Sequence, residues 1–99
     1  MGGIGALYMA GTNDDHFYSR ALVLSGYNPG EDVLKNINIP VIGFGESGNN
    51  TKNLISYAPE YEYHGSSAGH GGVPRDAFRQ KDSDGIPLIF KFLYPDYLD

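Results

Sequence analysis

Ala21-Leu22-Val23-Leu24-Ser25-Gly26 is a short, unbroken apolar run closed by small polar residues, and its reading decides the fold class. A run of that length with no polar alternation is the pattern of a strand buried on both faces. Gly26-Tyr27-Asn28-Pro29-Gly30 ends it with residues that favour turns. On its N-terminal side, residues 2–10 are mostly small and apolar and predict a helix able to pack tightly. Gly11 is the stop signal of that helix, followed by Thr12-Asn13-Asp14-Asp15. Phe17 and Tyr18 fall in the loop that re-enters the sheet.

On the C-terminal side the elements alternate. Residues 32–35 predict a single helical turn. Residues 37–44 predict a second strand with Pro40 near its start, where a missing N–H is tolerated. Gly45-Glu46-Ser47-Gly48-Asn49-Asn50 is then a loop at the carboxyl end of that strand. Residues 51–57 predict a short helix, capped by Asn50 or Thr51 and broken at Pro59. Glu60-Tyr61-Glu62-Tyr63-His64-Gly65 alternates polar and aromatic side chains, as a strand nearer a sheet edge does. Residues 66–74 form a Gly-rich loop holding His70. Residues 84–94 predict a last helix with Ile86, Leu88, Ile89, Phe92 and Leu93 on its apolar face.

Alternating helices and strands give an α/β fold, with about three parallel strands and flanking helices. Three strands are few for such a sheet, and the strand over residues 21–25 would be left as a long apolar edge. Residues 1–99 therefore read as half of a single domain rather than a whole one, with self-association through that edge as an expected consequence. There is no repeat, low-complexity segment or internal linker.

Composition narrows the partners. The 40% hydrophobic and 13% aromatic content supports a packed core. A net charge of −5 is a poor match to nucleic acid or an anionic membrane surface, and neither is expected as a partner. No stretch is long enough to span a bilayer. With no cysteine there is neither a disulfide nor a thiolate metal site. No signal peptide is visible at the N-terminus, where Met1 leads into glycines.

Two short motifs carry chemistry. Met1-Gly2-Gly3-Ile4-Gly5-Ala6-Leu7 has the form of the second half of a nucleophile elbow, Gly-x-Ser-x-Gly, in which small residues crowd a Ser lifted above a sheet. The Ser would immediately precede Met1 and is not in this chain. Ser67-Ala68-Gly69-His70-Gly71-Gly72 places a histidine among small neighbours just past a strand, where a ring can reach a nucleophile at the sheet's carboxyl edge. With Leu24-Ser25-Gly26, and Ile39-Pro40-Val41-Ile42 leading into Gly45-Glu46, these motifs stand in an order that resembles the C-terminal part of an α/β-hydrolase of the esterase or acyl-hydrolase type. The resemblance runs from Met1 to Leu93.

That resemblance implies a parent enzyme that hydrolyses carboxylic esters, with amides as the second-ranked alternative, on a small-molecule substrate by Ser-His-acid chemistry, with no cofactor and no metal. His70 matches the general base. Met1 matches the residue whose backbone N–H serves the oxyanion hole. The family's acid falls two residues after the Gly-Glu, which here is Gly48, so Glu46 is expected to take that role. Without the Ser, the chain alone is expected to be inactive.

Other readings stand beside these. A small non-catalytic α/β module that binds a partner through its apolar edge is the rival reading, and a degenerate hydrolase relative retained for ligand binding is a third. Asp82 and Asp84 are further candidates for the acid, but read first as an N-cap and a helix-dipole partner of the last helix. His16 with Asp14 and Asp15 reads as a solvated turn rather than a metal site, and His64 as structural. Ser25 follows a strand but lacks a Gly two residues before it, so it makes a poor elbow. Asn49-Asn50-Thr51 fits an N-glycosylation acceptor.

Overall fold

The computed structural model describes residues 2–13 and 18–98 of the chain. Met1 and the His16, Asp14 and Asp15 turn lie outside the described residues. Helix α1 (Gly2–Gly11) leads to strand β1 (Ala21–Leu24). Then come helix α2 (Glu31–Lys35), strand β2 (Val41–Glu46), helix α3 (Thr51–Ile55) and strand β3 (Tyr61–Ser66). A 3₁₀ turn (His70–Gly72) runs directly into helix α4 (Val73–Arg79), followed by helix α5 (Leu88–Leu93) and a 3₁₀ turn (Pro95–Leu98).

The strands form one parallel sheet in the order β1-β2-β3, so the expected α/β arrangement is present. The register is Ala21 beside Val41 and Val41 beside Tyr61. Successive side chains alternate between faces, and the two faces carry separate cores. On one, Val23 and Val41 meet Leu7 and Ala10 of α1, Leu34 of α2, and Leu54 and Ile55 of α3. On the other, Ile42 and Phe44 meet Val73 and Ala77 of α4 and Ile89 of α5, with Leu22 and Leu24 packed against them. Both crossover helices lie on the same face, as two crossovers of one hand advancing in one direction require. Phe44, fully buried, contributes on the order of 2–3 kcal/mol through its removal from water.

β2 is wholly buried up to Gly45, which explains its Gly-x-Gly pattern. A Cβ on Gly43 would lie 2.8 Å from Ile55 Cδ1, and one on Gly45 3.0 Å from Thr51 Oγ1. The missing side chains let α3 sit close on the strand.

Several expected boundaries move. The second strand starts at Val41 rather than residue 37 and extends through Glu46, so Gly45 and Glu46 belong to the strand and not to the loop. Of the expected loop over residues 66–74, Ser66 ends β3 and 67–69 are irregular, whereas 70–74 form the 3₁₀ turn and the start of α4, with Pro74 in the first helical turn, where a proline costs no hydrogen bond. The last helix begins at Leu88, not residue 84, with Pro87 ahead of it. Asp82 and Asp84 therefore do not cap it. Asp82 Oδ1 instead accepts the Asp84 and Ile86 amides and Oδ2 accepts Lys91 Nζ at 3.0 Å, closing the loop before α5.

Candidate functional site

Three polar side chains meet at the carboxyl end of the sheet, the edge where open parallel sheets gather their sites. Glu46 is the last residue of β2. Period-two alternation puts it on the same face as Ile42 and Phe44, the face covered by α4. His70 opens the turn that leads into α4 and so arrives over that same face. Its Nδ1 lies 3.1 Å from Glu46 Oε2. A carboxylate oxygen can only accept, so this pairing favours the neutral tautomer with the hydrogen on Nδ1, the form in which Nε2 keeps its lone pair. His70 is 55% exposed and Glu46 17% exposed, leaving the imidazole open to solvent while the carboxylate is largely enclosed.

The third member is Ser25, whose Oγ donates to the same Glu46 Oε2 at 3.0 Å. Ser25 is buried and takes φ 51°, the one positive φ at a non-glycine among the described residues. Its amide still donates to Phe44 O at 2.8 Å, so the strand pairing ends on it. Tyr27, two residues on, places its ring 6.0 Å from that of His70, tilted at 56°.

The turn behind the site is rigidly tied. Gly72 N donates to Gly69 O at 2.8 Å, closing the His70 turn. Ser66, paired in register with Glu46, donates from Oγ to Asp76 Oδ2 at 2.7 Å, binding the end of β3 to α4. Gln80 donates to Gly65 O and to Asp76 Oδ2. His70 thus stands in a hydrogen-bonded turn anchored by a helix.

Of the residues singled out in the sequence, His70 and Glu46 are brought together. Asp82 is engaged with Lys91 and the backbone before α5. Gly48 has φ 87° in the turn after β2, a left-handed conformation that favours glycine over an aspartate. His64 lies inside β3, with Nε2 2.7 Å from Glu62 Oε2 and its ring stacked on Phe44 at 5.3 Å. Of the glycosylation-type triplet, Thr51 is fully buried, Asn50 is exposed, and Asn49 is half-buried with its Oδ1 accepting the Thr51 amide at 2.9 Å. Sequence reasoning missed the part played by Ser25. Its signal was present as a hydroxyl directly after an apolar strand and before a glycine, but it was weighed only as a nucleophile.

Beside this cluster, residues Gly26, Asn28, Asn49, Asn50 and Leu54 line an open cleft of about 280 Å³. Among the described residues no three His, Cys, Asp or Glu side chains gather as a metal site would need. Among them, too, no helix is long and apolar enough to cross a membrane. No protein-family model, curated protein or solved structure matches this chain.

Proposed function

We propose that this chain is the C-terminal portion of a serine hydrolase of the α/β-hydrolase type, supplying the base and acid of a Ser-His-acid triad that cleaves a small carboxylic ester. The observation that carries the reading is the 3.1 Å pairing of His70 Nδ1 with Glu46 Oε2 at the carboxyl edge of a parallel sheet. With Nδ1 committed to the carboxylate, Nε2 is the nitrogen that takes the proton of a Ser hydroxyl and returns it to the leaving alcohol. Glu46 holds the ring in that tautomer and balances the charge that develops on it. The nucleophile belongs in the segment whose second half Met1-Gly2-Gly3-Ile4-Gly5 matches, and the backbone N–H of Met1 is assigned to the oxyanion hole by the same motif.

Ser25 does not serve as that nucleophile in this reading. Its hydroxyl donates to the acid rather than to the imidazole, and it is 5% exposed. Strand β1 at the sheet's edge is the surface through which the chain pairs with the missing strands or with a second copy of itself.

The test is to read and express the coding sequence upstream of Met1. In-frame coding for Gly-x-Ser directly before Met1, with esterase activity in the extended protein that disappears in His70→Ala, is the expected result. The 99-residue chain alone should fall short by about 10⁶-fold, since the nucleophile and oxyanion donor act as a unit. Activity of the short chain that survives His70→Ala, or an upstream sequence without the Ser, would overturn the proposal.

A further inference from the structure

We propose that Ser25 is a positioning residue for the Glu46–His70 pair, an inference that rests on the reading above and gives the third side chain of the site its role. Ser25 follows β1 at a position whose side chain, in a continued strand, would share the face of Ala21 and Val23, the face covered by α1 and α3. Glu46 points to the opposite face, with Ile42 and Phe44. An extended Ser25 could not reach it.

The chain resolves this by giving Ser25 φ 51°. That conformation is disfavoured for a residue with a Cβ and is relieved by glycine, yet a serine occupies it. The gain that accompanies the strain is one hydrogen bond, from Ser25 Oγ to Glu46 Oε2 at 3.0 Å. Strain of this kind persists only where the surroundings hold it. Here the Ser25 amide is fixed on Phe44 O at 2.8 Å and the next amide, Gly26 N, on Thr51 Oγ1 at 2.8 Å. The backbone on both sides of the left-handed residue is thus clamped, and the hydroxyl is aimed at the carboxylate.

The effect on His70 follows from the shared atom. Oε2 of Glu46 lies within hydrogen-bond distance of both Ser25 Oγ and His70 Nδ1. Glu46 ends its strand and has free rotation about its side-chain bonds unless something fixes the head group. Ser25 is the buried donor that fixes it, and His70, more than half exposed, then finds an acceptor already in place. Preorganisation of an exposed imidazole by an enclosed carboxylate is what the serine supplies.

The experiment uses the 99-residue chain and reads the tautomer of His70 by ¹⁵N and ¹³C NMR at a pH where the ring is neutral. Two variants separate positioning from structure. Ser25→Gly removes the donor and relaxes the backbone; Ser25→Thr keeps the donor on a backbone at least as strained. Positioning predicts that the glycine variant loses the Nδ1–H preference by about threefold or more, a hydrogen-bond-sized change, while the threonine variant retains it. A purely structural role predicts the reverse order in stability and no tautomer change in either. Should Ser25→Thr fail to fold, Ser25→Gly decides alone. An unchanged tautomer ratio in Ser25→Gly, with Glu46→Gln still abolishing the preference, overturns the role of Ser25 and leaves the pair intact. No change in Glu46→Gln overturns the pair itself, and with it the proposed function. Covalent labelling of Ser25 by a fluorophosphonate would also overturn the inference, by making the hydroxyl a nucleophile.

Discussion

Thr51 Oγ1 accepts the backbone amide of Gly26 at 2.8 Å, joining the first residue of α3 to the turn that carries Ser25. Thr51 is fully buried, and the bond is enclosed. One hydroxyl thereby couples the helix over β2 to the end of β1. Thr51→Val keeps the shape and removes the acceptor, leaving the Gly26 N–H enclosed without a partner. A loss of about 1–3 kcal/mol in chemical denaturation is expected. Because the same amide clamps Ser25, the His70 signals in an NMR spectrum should move as well. Unchanged stability would show that the amide finds another acceptor.

Gly43 and Gly65 lie in neighbouring strands yet should respond to alanine in opposite ways. A Cβ on Gly43 would meet Ile55 Cδ1 at 2.8 Å and Thr51 Cγ2 at 3.0 Å, so α3 must shift or strain. The expected cost of Gly43→Ala is about 1–3 kcal/mol. Nothing lies within 4 Å of a Cβ on Gly65. There the alanine stiffens the unfolded chain, and Gly65→Ala should be neutral or stabilising by up to about 1 kcal/mol. Thermal unfolding of the two variants side by side checks the pair.

Asp82 gives the chain a pH-dependent tie. The Ile86 amide, then Lys91 and the Asp84 amide, hold its carboxyl below the ordinary value of 3.8. A depressed carboxylate stabilises the fold above its unfolded value, and the contribution disappears as pH falls through the lower, folded value. Lys91 is held above its ordinary 10.5, first by its hydrogen bond to Asp82, so its share persists through neutral pH and is lost as pH rises through the folded value. The melting temperature should therefore fall more steeply below about pH 4 in the unaltered chain than in Asp82→Asn. Parallel acid profiles for the two would remove the carboxylate from that role.

The fold class was legible because burial on both faces writes itself as unbroken apolar runs, and both Leu22-Val23-Leu24 and Val41-Ile42 carry that signal. His70 and Glu46 were legible because each stands at a strand's carboxyl end beside small residues. Helix α4 was not. Glycines at 69, 71 and 72 and Pro74 read as loop, whereas Pro74 fits the first helical turn and Val73 and Ala77, one turn apart, bury the inner face. The extent of the last helix was overstated because apolar periodicity says nothing of the Asp82 loop, whose side chain takes up the amides that a longer helix would have used. The bond from Ser25 to Glu46 spans 21 residues and depends on a backbone angle, and neither leaves a periodic trace in the sequence.

The proposed function makes a further prediction about the acid, testable in the chain extended with its native upstream coding sequence, which on that proposal carries the nucleophile. Glu46→Gln keeps the size of the side chain but replaces the anionic acceptor 3.1 Å from Nδ1 with an amide that can donate to it. The wrong tautomer is then favoured and the developing imidazolium has no counter-charge, a loss of about 10⁴-fold in kcat when the partner is the triad acid. Asp84→Asn should stay within a few-fold of the parent. Asp82→Asn should do likewise, since an amide oxygen can still accept the Ile86 and Asp84 amides, and its effect should appear in stability rather than in rate. Asp76→Asn tests the support behind the turn, because Asp76 Oδ2 accepts both Ser66 Oγ and Gln80 Nε2. It should lower kcat and stability together, without the selective kcat loss of Glu46→Gln. Full activity in Glu46→Gln, with kcat abolished in Asp82→Asn or Asp84→Asn, would move the acid to that residue; tolerance of all three would leave His70 working without a carboxylate from this chain.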